Sequence, residues 1–183
     1  MSLITGSAGR LLRVTMFTSS GTWTKGNDVG FVIVKQVGAG GGNSSDGTNS
    51  VEVGGNTSFG AHMTSNGGAA GGGGLGGAVG AGGSSSGGDV NISGDPGAST
   101  SLDITLRALS YCQELAPFGH GGASNTGRPG GAGGFSLKKI DESSLSASTT
   151  VTVGAAYSGG AAGTGTAFSR GKGGAVIVYE YSK

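Results

Sequence analysis

The stretch at residues 67–88, GGAAGGGGLGGAVGAGGSSSGG, constrains the fold of this chain more than any other feature. Glycine loses more backbone freedom on folding than any other residue, so such a stretch orders only if backbone hydrogen bonds and close contacts offset that entropy. Glycine fills 44 of the 183 positions, and it occurs in pairs and quartets rather than at every third position as in collagen. The stretch is therefore either an unfolded linker or a structure that only glycine can build.

Several glycine-rich stretches alternate with apolar segments, whereas a linker would need only one. A polyglycine II helix has three residues per turn and no internal hydrogen bonds, so a single one is fully solvated. Several such helices can bond to one another, because chains with almost no side chain approach closely. We expect a packed lattice in which side chains such as Leu75 and Val79 fill gaps or cap edges. The stretches are 38–42, 67–88, 119–134 and 154–174.

The charge of the chain excludes some classes of function. Charged residues make up 11% of the sequence and the formal net charge is +1, so binding to nucleic acid through phosphate neutralisation is not expected. The single cysteine, Cys112, cannot form an internal disulfide. The N-terminal segment lacks the apolar run of a secretory signal, and no stretch approaches the roughly 20 apolar residues of a membrane span. We expect a soluble protein without membrane insertion and without a conventional export signal.

Short runs of β-branched and aromatic residues, bounded by glycine or serine, predict an all-β fold. Near the N-terminus, LLRVTMF (11–17) and VGFVIVKQV (29–37) are typical of an antiparallel hairpin or of two strands of one sandwich. The C-terminal strands are FSLKKI (135–140), TTVTV (149–153) and AVIVYEY (175–181). Because AVIVYEY is apolar on both faces, it is the candidate for a buried central strand.

The middle of the chain holds one further apolar segment, SLDITLRALSYCQEL, at residues 101–115. Apolar and polar residues alternate from Leu102 to Leu106, which favours a strand near 101–109. A short helix is the alternative near Gln113.

Apolar segments lead directly into glycine in phrases such as VGAGG (37–41) and VGA (153–155). We therefore expect a β-sandwich-like strand core with the glycine-rich segments gathered at one end, packed as polyglycine II helices. The whole chain, residues 1–183, is predicted to be a single glycine-rich β domain. Its parts are N-terminal strands or an attachment segment (1–37), mainly glycine-rich loops (38–134), and C-terminal strands (135–183) with a glycine-rich loop at 154–174.

Catalytic motifs are poorly represented. His62 and His120 lie in glycine-rich surroundings, and neither belongs to a nucleophile elbow or to a pair of histidines at metal-ligand spacing. The dinucleotide pattern GxGxxG occurs at 71–76, but chance matches are expected among so many glycines and no strand and helix frame it. We expect neither enzymatic activity nor a cofactor.

One segment imitates the start of a calcium loop, because Asp89, Asn91, Ser93 and Asp95 place oxygen donors at alternate positions. The acid that such a loop needs at its twelfth position is missing, since Thr100 stands there. No metal site is therefore expected, and calcium is kept as the weaker alternative. The favoured interpretation is a short strand, DVNIS at 89–93, followed by a turn.

A series of phrases extends in order over nearly the whole chain. The phrases are FTSSGTWTK (17–25), VIVKQVGAGGG (32–42), GGNTSFG (54–60), GGDVNISGDPG (87–97), APFGHGG (116–122), LKKIDESSLSASTTVTVGA (137–155) and GKGGAVIVYEY (171–181). In this series the chain resembles the glycine-rich domain of bacteriophage tail-fibre and tail-tip proteins. That family often has Pro-Ala-Gly after the TWT phrase, where this chain continues with Lys25 and Gly26, a change that alters a turn.

The resemblance implies a virion component near the distal end of a tail fibre, made in the cytoplasm of the bacterial host. It implies contact with a bacterial outer-surface receptor, either a protein or a glycan, and with other tail-fibre or virion subunits. Because tail fibres are commonly trimeric, a homotrimer is expected, although a single copy on a trimeric shaft fits equally well.

Two other functions are open. The first is a purely structural tail or decoration protein without receptor contact. The second is an ice-binding protein, because packed polyglycine II helices present a flat face. Such a face needs small residues at regular three-residue spacing, and the irregular glycine runs of this chain argue against it.

Receptor contact is predicted for large side chains that stand among glycines, because nothing else there supplies apolar area. Tyr111, Tyr157, Phe168, His120 and Arg128 lead this set. Trp23, in contrast, is expected to pack in the sandwich. For Phe59 and Phe118 the alternative is that each anchors its own loop. The full set is Tyr111, Phe118, His120, Arg128, Tyr157, Phe168, Arg170, Phe59, His62 and Met63.

Replacing Tyr157 or Arg128 with Ala should reduce binding to host cells and leave the fold intact, because the predicted role of both side chains is receptor contact. Binding of labelled protein to bacteria measures the loss, and circular dichroism checks the fold. Unchanged binding for every member of the candidate set would refute this assignment of the receptor surface.

Overall fold

The computed structural model describes residues 9–42, 53–72, 78–97, 113–115, 118–122, 129–156 and 171–183. Within these residues ten strands form two five-stranded sheets, in which every pair of neighbouring strands is antiparallel. The remaining regular elements described are two short 3-10 turns, η1 (Gln113–Leu115) and η2 (Glu142–Ser144). The predicted all-β, sandwich-like fold is confirmed.

Sheet A contains the longer strands, which the β-branched runs predicted. Its order is β1 (Leu11–Phe17), β10 (Ala175–Ser182), β3 (Val29–Val37), β8 (Phe135–Asp141) and β7 (Val90–Ile92). Since β10 lies between β1 and β3, the two N-terminal runs do not form a hairpin, and the alternative of two strands in one sandwich is correct. The prediction that AVIVYEY is a buried central strand is confirmed.

Sheet B contains shorter and more polar strands. Its order is β2 (Gly21–Thr24), β9 (Ser148–Thr152), β4 (Thr57–Phe59), β5 (Met63–Ser65) and β6 (Ser85–Ser86). Only β9 was predicted as a strand from the sequence. The others are two to four residues long, which is too short to display a two-residue alternation of apolar and polar side chains.

The main core lies between the two sheets. Sheet A contributes valines from alternate positions of β3 and β10, and sheet B contributes Trp23, Phe59, Met63 and Val151. Trp23 is only 1% exposed, which confirms its predicted core position. Its ring centroid lies 5.6 Å from that of Phe59, so the largest side chains of sheet B pack against each other.

A buried carboxylate joins the two sheets. Glu180 on β10 is 2% exposed, and its Oε1 accepts hydrogen bonds from Trp23 Nε1 (2.8 Å) and Arg13 Nε (2.7 Å). The Arg13 guanidinium also donates to the carbonyl oxygen of Thr24. A buried charge requires such partners, because an unpaired one would be strongly destabilising. This Trp23–Glu180–Arg13 clasp therefore ties β1 and β10 to β2.

The glycine-rich segments extend from the ends of the strands and bond to one another. We call them together the glycine lattice, and none of its described residues belongs to a strand. Its backbone N–H groups donate to carbonyl oxygens of other lattice segments at 2.7–3.4 Å. The described segments are 38–42, 53–56, 66–72, 78–84, 93–97, 118–122, 129–134, 153–156 and 171–174.

The lattice bonds repeat every three residues. In the segment 129–134, N–H groups three residues apart donate to the same neighbouring segment, and the next pair donates to a different one. Gly130 and Gly133 bond to Gly122 and Gly119, and Gly131 and Gly134 bond to Ala69 and Asn66. A chain with three residues per turn points every third N–H in the same direction. The bond pattern therefore has the period that the polyglycine II prediction requires.

Close approach of backbones explains why the lattice needs glycine. A Cβ atom added at Gly131 would overlap the carbonyl group of Ala81, and one added at Gly68 would overlap that of Gly131. These obstacles are backbone atoms that take part in the lattice bonds, so they cannot move aside as a flexible side chain would.

Replacing Gly131 with Ala should therefore lower the free energy of unfolding by about 1–3 kcal/mol or more, the usual effect of overpacking. The matched control is Gly173→Ala, because a Cβ there meets its nearest neighbour at 3.5 Å, an ordinary contact. We expect it to change stability by less than about 1 kcal/mol. Denaturant titration measures both, and equal effects of the two substitutions would contradict the close-packing explanation.

Candidate functional site

The glycine lattice carries the chain away from the two sheets, and the hydrogen bonds show the direction. β5 and β6 pair through Ser65 and Ser85, and the bonds that follow join Asn66 to Ser84, Ala69 to Ala81, and Gly72 to Ala78. Other lattice segments extend away from the sheets in the same way. The described residues at the end of the lattice away from the sheets, here called the distal end, include Gly42, Gly72, Ala78, Gly97 and Gly122.

The described lattice carries almost no charge. Its ionisable side chains are Asp95, His120 and Lys172. The exposed large apolar side chains of the described lattice are Val53, at 62%, and Val79, at 42%. Val79 therefore lies at the surface and does not fill a gap, and Leu75 lies outside the described residues. Such a surface suits contacts that depend on shape and on apolar area rather than on charge.

Two of the predicted receptor residues are in the core. Phe59 on β4 is fully buried and Met63 on β5 is 2% exposed, and both pack in the cluster between the sheets. The prediction of receptor contact is therefore wrong for these two side chains. The anchoring alternative for Phe59 is the correct one, because alternate residues of β4 and β5 point into the sandwich.

Phe118 and His120 lie in the segment 118–122 and are both half-buried. Phe118 packs against a second apolar cluster on the outer face of sheet A, formed by Val37, Leu115, Ala175 and Ile177. This contact anchors the start of the segment beside sheet A. The backbone carbonyl of His120 accepts a hydrogen bond from the N–H of Lys172 at 2.7 Å. Of the two, only His120 stands on the lattice beyond the sheets.

The other candidates lie outside the described residues, and so does the strand predicted near 101–109. They are Tyr111, Arg128, Tyr157, Phe168 and Arg170. Their predicted role in receptor contact stays a prediction from the sequence.

His62 is half-buried in the turn between β4 and β5, with its ring centroid 6.1 Å from that of Phe59. Burial and, to a smaller extent, the positive charge of Lys138 lower the pKa of His62 below its ordinary value of 6.5. Both causes oppose a charge on the imidazole. His62 is thus a neutral side chain of the sandwich and does not lie on the lattice.

Two of the oxygen donors of the calcium alternative bond to other parts of the chain. Asp89 Oδ2 accepts the N–H of Lys139 at 2.8 Å, and the Asn91 amide bonds to the N–H and the carbonyl of Gly88. The short strand predicted for this segment is present as β7. Among the described residues no group of three or more His, Cys, Asp or Glu side chains is placed to hold a metal ion.

Sequence reasoning did not identify Val53 and Val79 as surface residues of the lattice. The available signal was their setting, because an apolar side chain among closely packed glycines has no room inside. For the N-terminal segment the sequence left open whether it is an attachment segment or the first core strand, and it did not indicate that Leu11, Val14 and Met16 of β1 are exposed.

Comparison with known proteins gives no relative for this chain. No protein-family model matches it, and no curated protein and no solved structure shows significant similarity. Within the described ranges, no helix is both long and apolar enough to span a membrane.

Stability should decrease as the pH falls through about 6.5, because the unfolded chain takes up a proton at His62 more readily than the folded chain does. The contribution of His62 is fully present above that pH. Thermal unfolding of the wild type and of His62→Gln between about pH 7.5 and pH 5 tests this expectation.

In His62→Gln the decrease over this range should be smaller. Glu142, whose pKa Lys183 lowers below 4.5, affects stability only at lower pH and does not interfere. Identical pH profiles for the two proteins would show that His62 contributes nothing.

Proposed function

We propose that this protein is a non-enzymatic tail-fibre or tail-tip component of a bacteriophage that binds the bacterial host surface during adsorption. The observation that carries the proposal is the glycine lattice, whose described segments leave the sandwich and bond to one another as far as the distal end. The ordered series of phrases that resembles phage tail-fibre proteins adds to it. The protein then belongs to the virion tail, with a surface protein or glycan of the host as its receptor.

The mechanism is display of contact residues on a rigid support. Each lattice segment bonds to several others, so the distal end is fixed relative to the sheets without a hydrophobic core of its own. A rigid support reduces the entropy lost on binding and so favours affinity. The contacts themselves are supplied by side chains at the distal end, with Val79, next to Ala78, as the described example. Several copies per virion allow weak contacts to sum to firm adsorption.

The near absence of charge on the described lattice favours recognition by shape. Bacterial surfaces are rich in charged groups, and a strongly charged protein would bind them with little selectivity. A neutral lattice leaves selectivity to the side chains at the distal end.

The test is binding of fluorescently labelled protein to a panel of bacterial strains. Cells stripped of lipopolysaccharide and cells stripped of surface proteins serve as controls that identify the receptor class. We expect saturable binding to one strain or a few strains, lost with one of the two treatments. The Gly131→Ala variant, which disturbs the lattice, should lose this binding, and Gly173→Ala should retain it.

The second candidate function is a structural tail or decoration protein. The observation that favours it is the exposed apolar surface of β1, which lies on the sandwich and suits contact with another virion protein. The absence of binding to every strain in the panel would reject the receptor function and favour this one. Equal binding by Gly131→Ala and wild type would reject a role for the ordered lattice.

A further inference from the structure

β1 is the longest of the strands that end a sheet. Within the part of the chain that the structure describes, β10 is the one strand that pairs with β1, and the backbone N–H and C=O groups on the other edge of β1 have no strand partner there. The other three end strands have two to four residues, whereas β1 has seven. Short edge strands resist pairing with other chains, and a long one is a template for it.

β1 also lacks the features that normally protect an edge. It contains neither lysine nor proline, and its one charged residue, Arg13, is held by Glu180 and by the carbonyl of Thr24. A register irregularity between Leu11 and Arg13 affects only the start of the strand. From Arg13 to Phe17 the pairing with β10 is regular, so this part of the edge has no bulge.

Two exposed apolar side chains of β1, Val14 and Met16, lie on the same face. Val14 pairs with Tyr179 and Met16 pairs with Ile177, which places both on the outer face of sheet A, where Ile177 belongs to the second apolar cluster. Val14 is 50% exposed and Met16 is 45% exposed. A strand added beside β1 would pair its free backbone groups and cover these two side chains together.

We propose that β1 pairs antiparallel with β1 of a second copy of this chain, so that two copies of sheet A form one continuous ten-stranded sheet. Antiparallel pairing of identical strands has two-fold symmetry and presents the same surface from both copies. The middle of the strand, Val14, Thr15 and Met16, is uncharged, so pairing there opposes no like charges. The half-exposed Arg13 side chain lies on the opposite face of β1, where it is tied to Glu180 and to the carbonyl of Thr24.

This interface differs from the trimer that resemblance to tail fibres implies. An isologous edge pair uses one edge from each copy and is complete with two copies. The dimer does not depend on receptor binding. It leaves the distal end of each lattice free, because β1 lies on the sandwich.

The experiment measures the mass of the purified full-length protein by sedimentation equilibrium over a range of concentrations. The test variant is Val14→Lys, which places a charge on the exposed face of the proposed pair. The matched control is Val90→Lys on β7, because Val90 is 45% exposed on the opposite edge strand of the same sheet. Circular dichroism confirms that both variants fold.

We expect the wild type and Val90→Lys to pass from monomer to dimer as concentration rises, and Val14→Lys to remain a monomer. In the wild type, amide hydrogen exchange in β1 should become slower at the protein concentrations at which dimers form. A monomer at every concentration would overturn the proposal, as would a trimer. A dimer that Val14→Lys leaves intact, or that Val90→Lys disrupts equally, would also overturn it.

Discussion

The close approach of backbones in the glycine lattice is the constraint on which the rest of this structure depends. Lattice segments lie near enough for a Cβ at Gly68 or Gly131 to overlap the carbonyl of a neighbour, so side chains are excluded and cannot form a core. Cohesion comes from backbone hydrogen bonds, each worth about 0.5–1.5 kcal/mol net. Every glycine also opposes order through its large loss of entropy. The lattice therefore needs many bonds in several directions, which the three-residue period supplies.

The sandwich makes such a lattice possible by fixing where its segments begin. The strands hold neighbouring segments at the correct distance, so the entropy of bringing them together is offset largely by the apolar core. At the boundary, the buried Gln36 amide donates to the Thr57 carbonyl and to Ser65 Oγ, both at 3.3 Å. Ser65 Oγ also lies 2.7 Å from Ser136 Oγ. These polar contacts join the two sheets at the boundary between the apolar core and the hydrogen-bonded backbone of the glycine lattice.

The two halves of the molecule suit different contacts. The described part of the lattice is nearly uncharged, which is compatible with the proposed recognition of a host surface. The sandwich carries most of the charged residues and the exposed apolar strand β1, which fits association with protein. The proposed role as a tail component would use both kinds of contact, one toward the host and one toward the assembly. Their separation on opposite parts of one chain allows both to be made at once.

The sequence by itself determined the class of the fold and the character of the lattice. β-branched runs predicted β1, β3, β8, β9 and β10, and repeated glycine stretches predicted close packing, since both signals are local. Only the tertiary structure decided that β10 lies between β1 and β3, that Phe59 and Met63 are buried, and that β1 has an open edge. These features depend on partners distant in the chain, as in the bond between Trp23 and Glu180. Local pattern does not specify such partners, because burial and pairing are settled over the whole molecule at once.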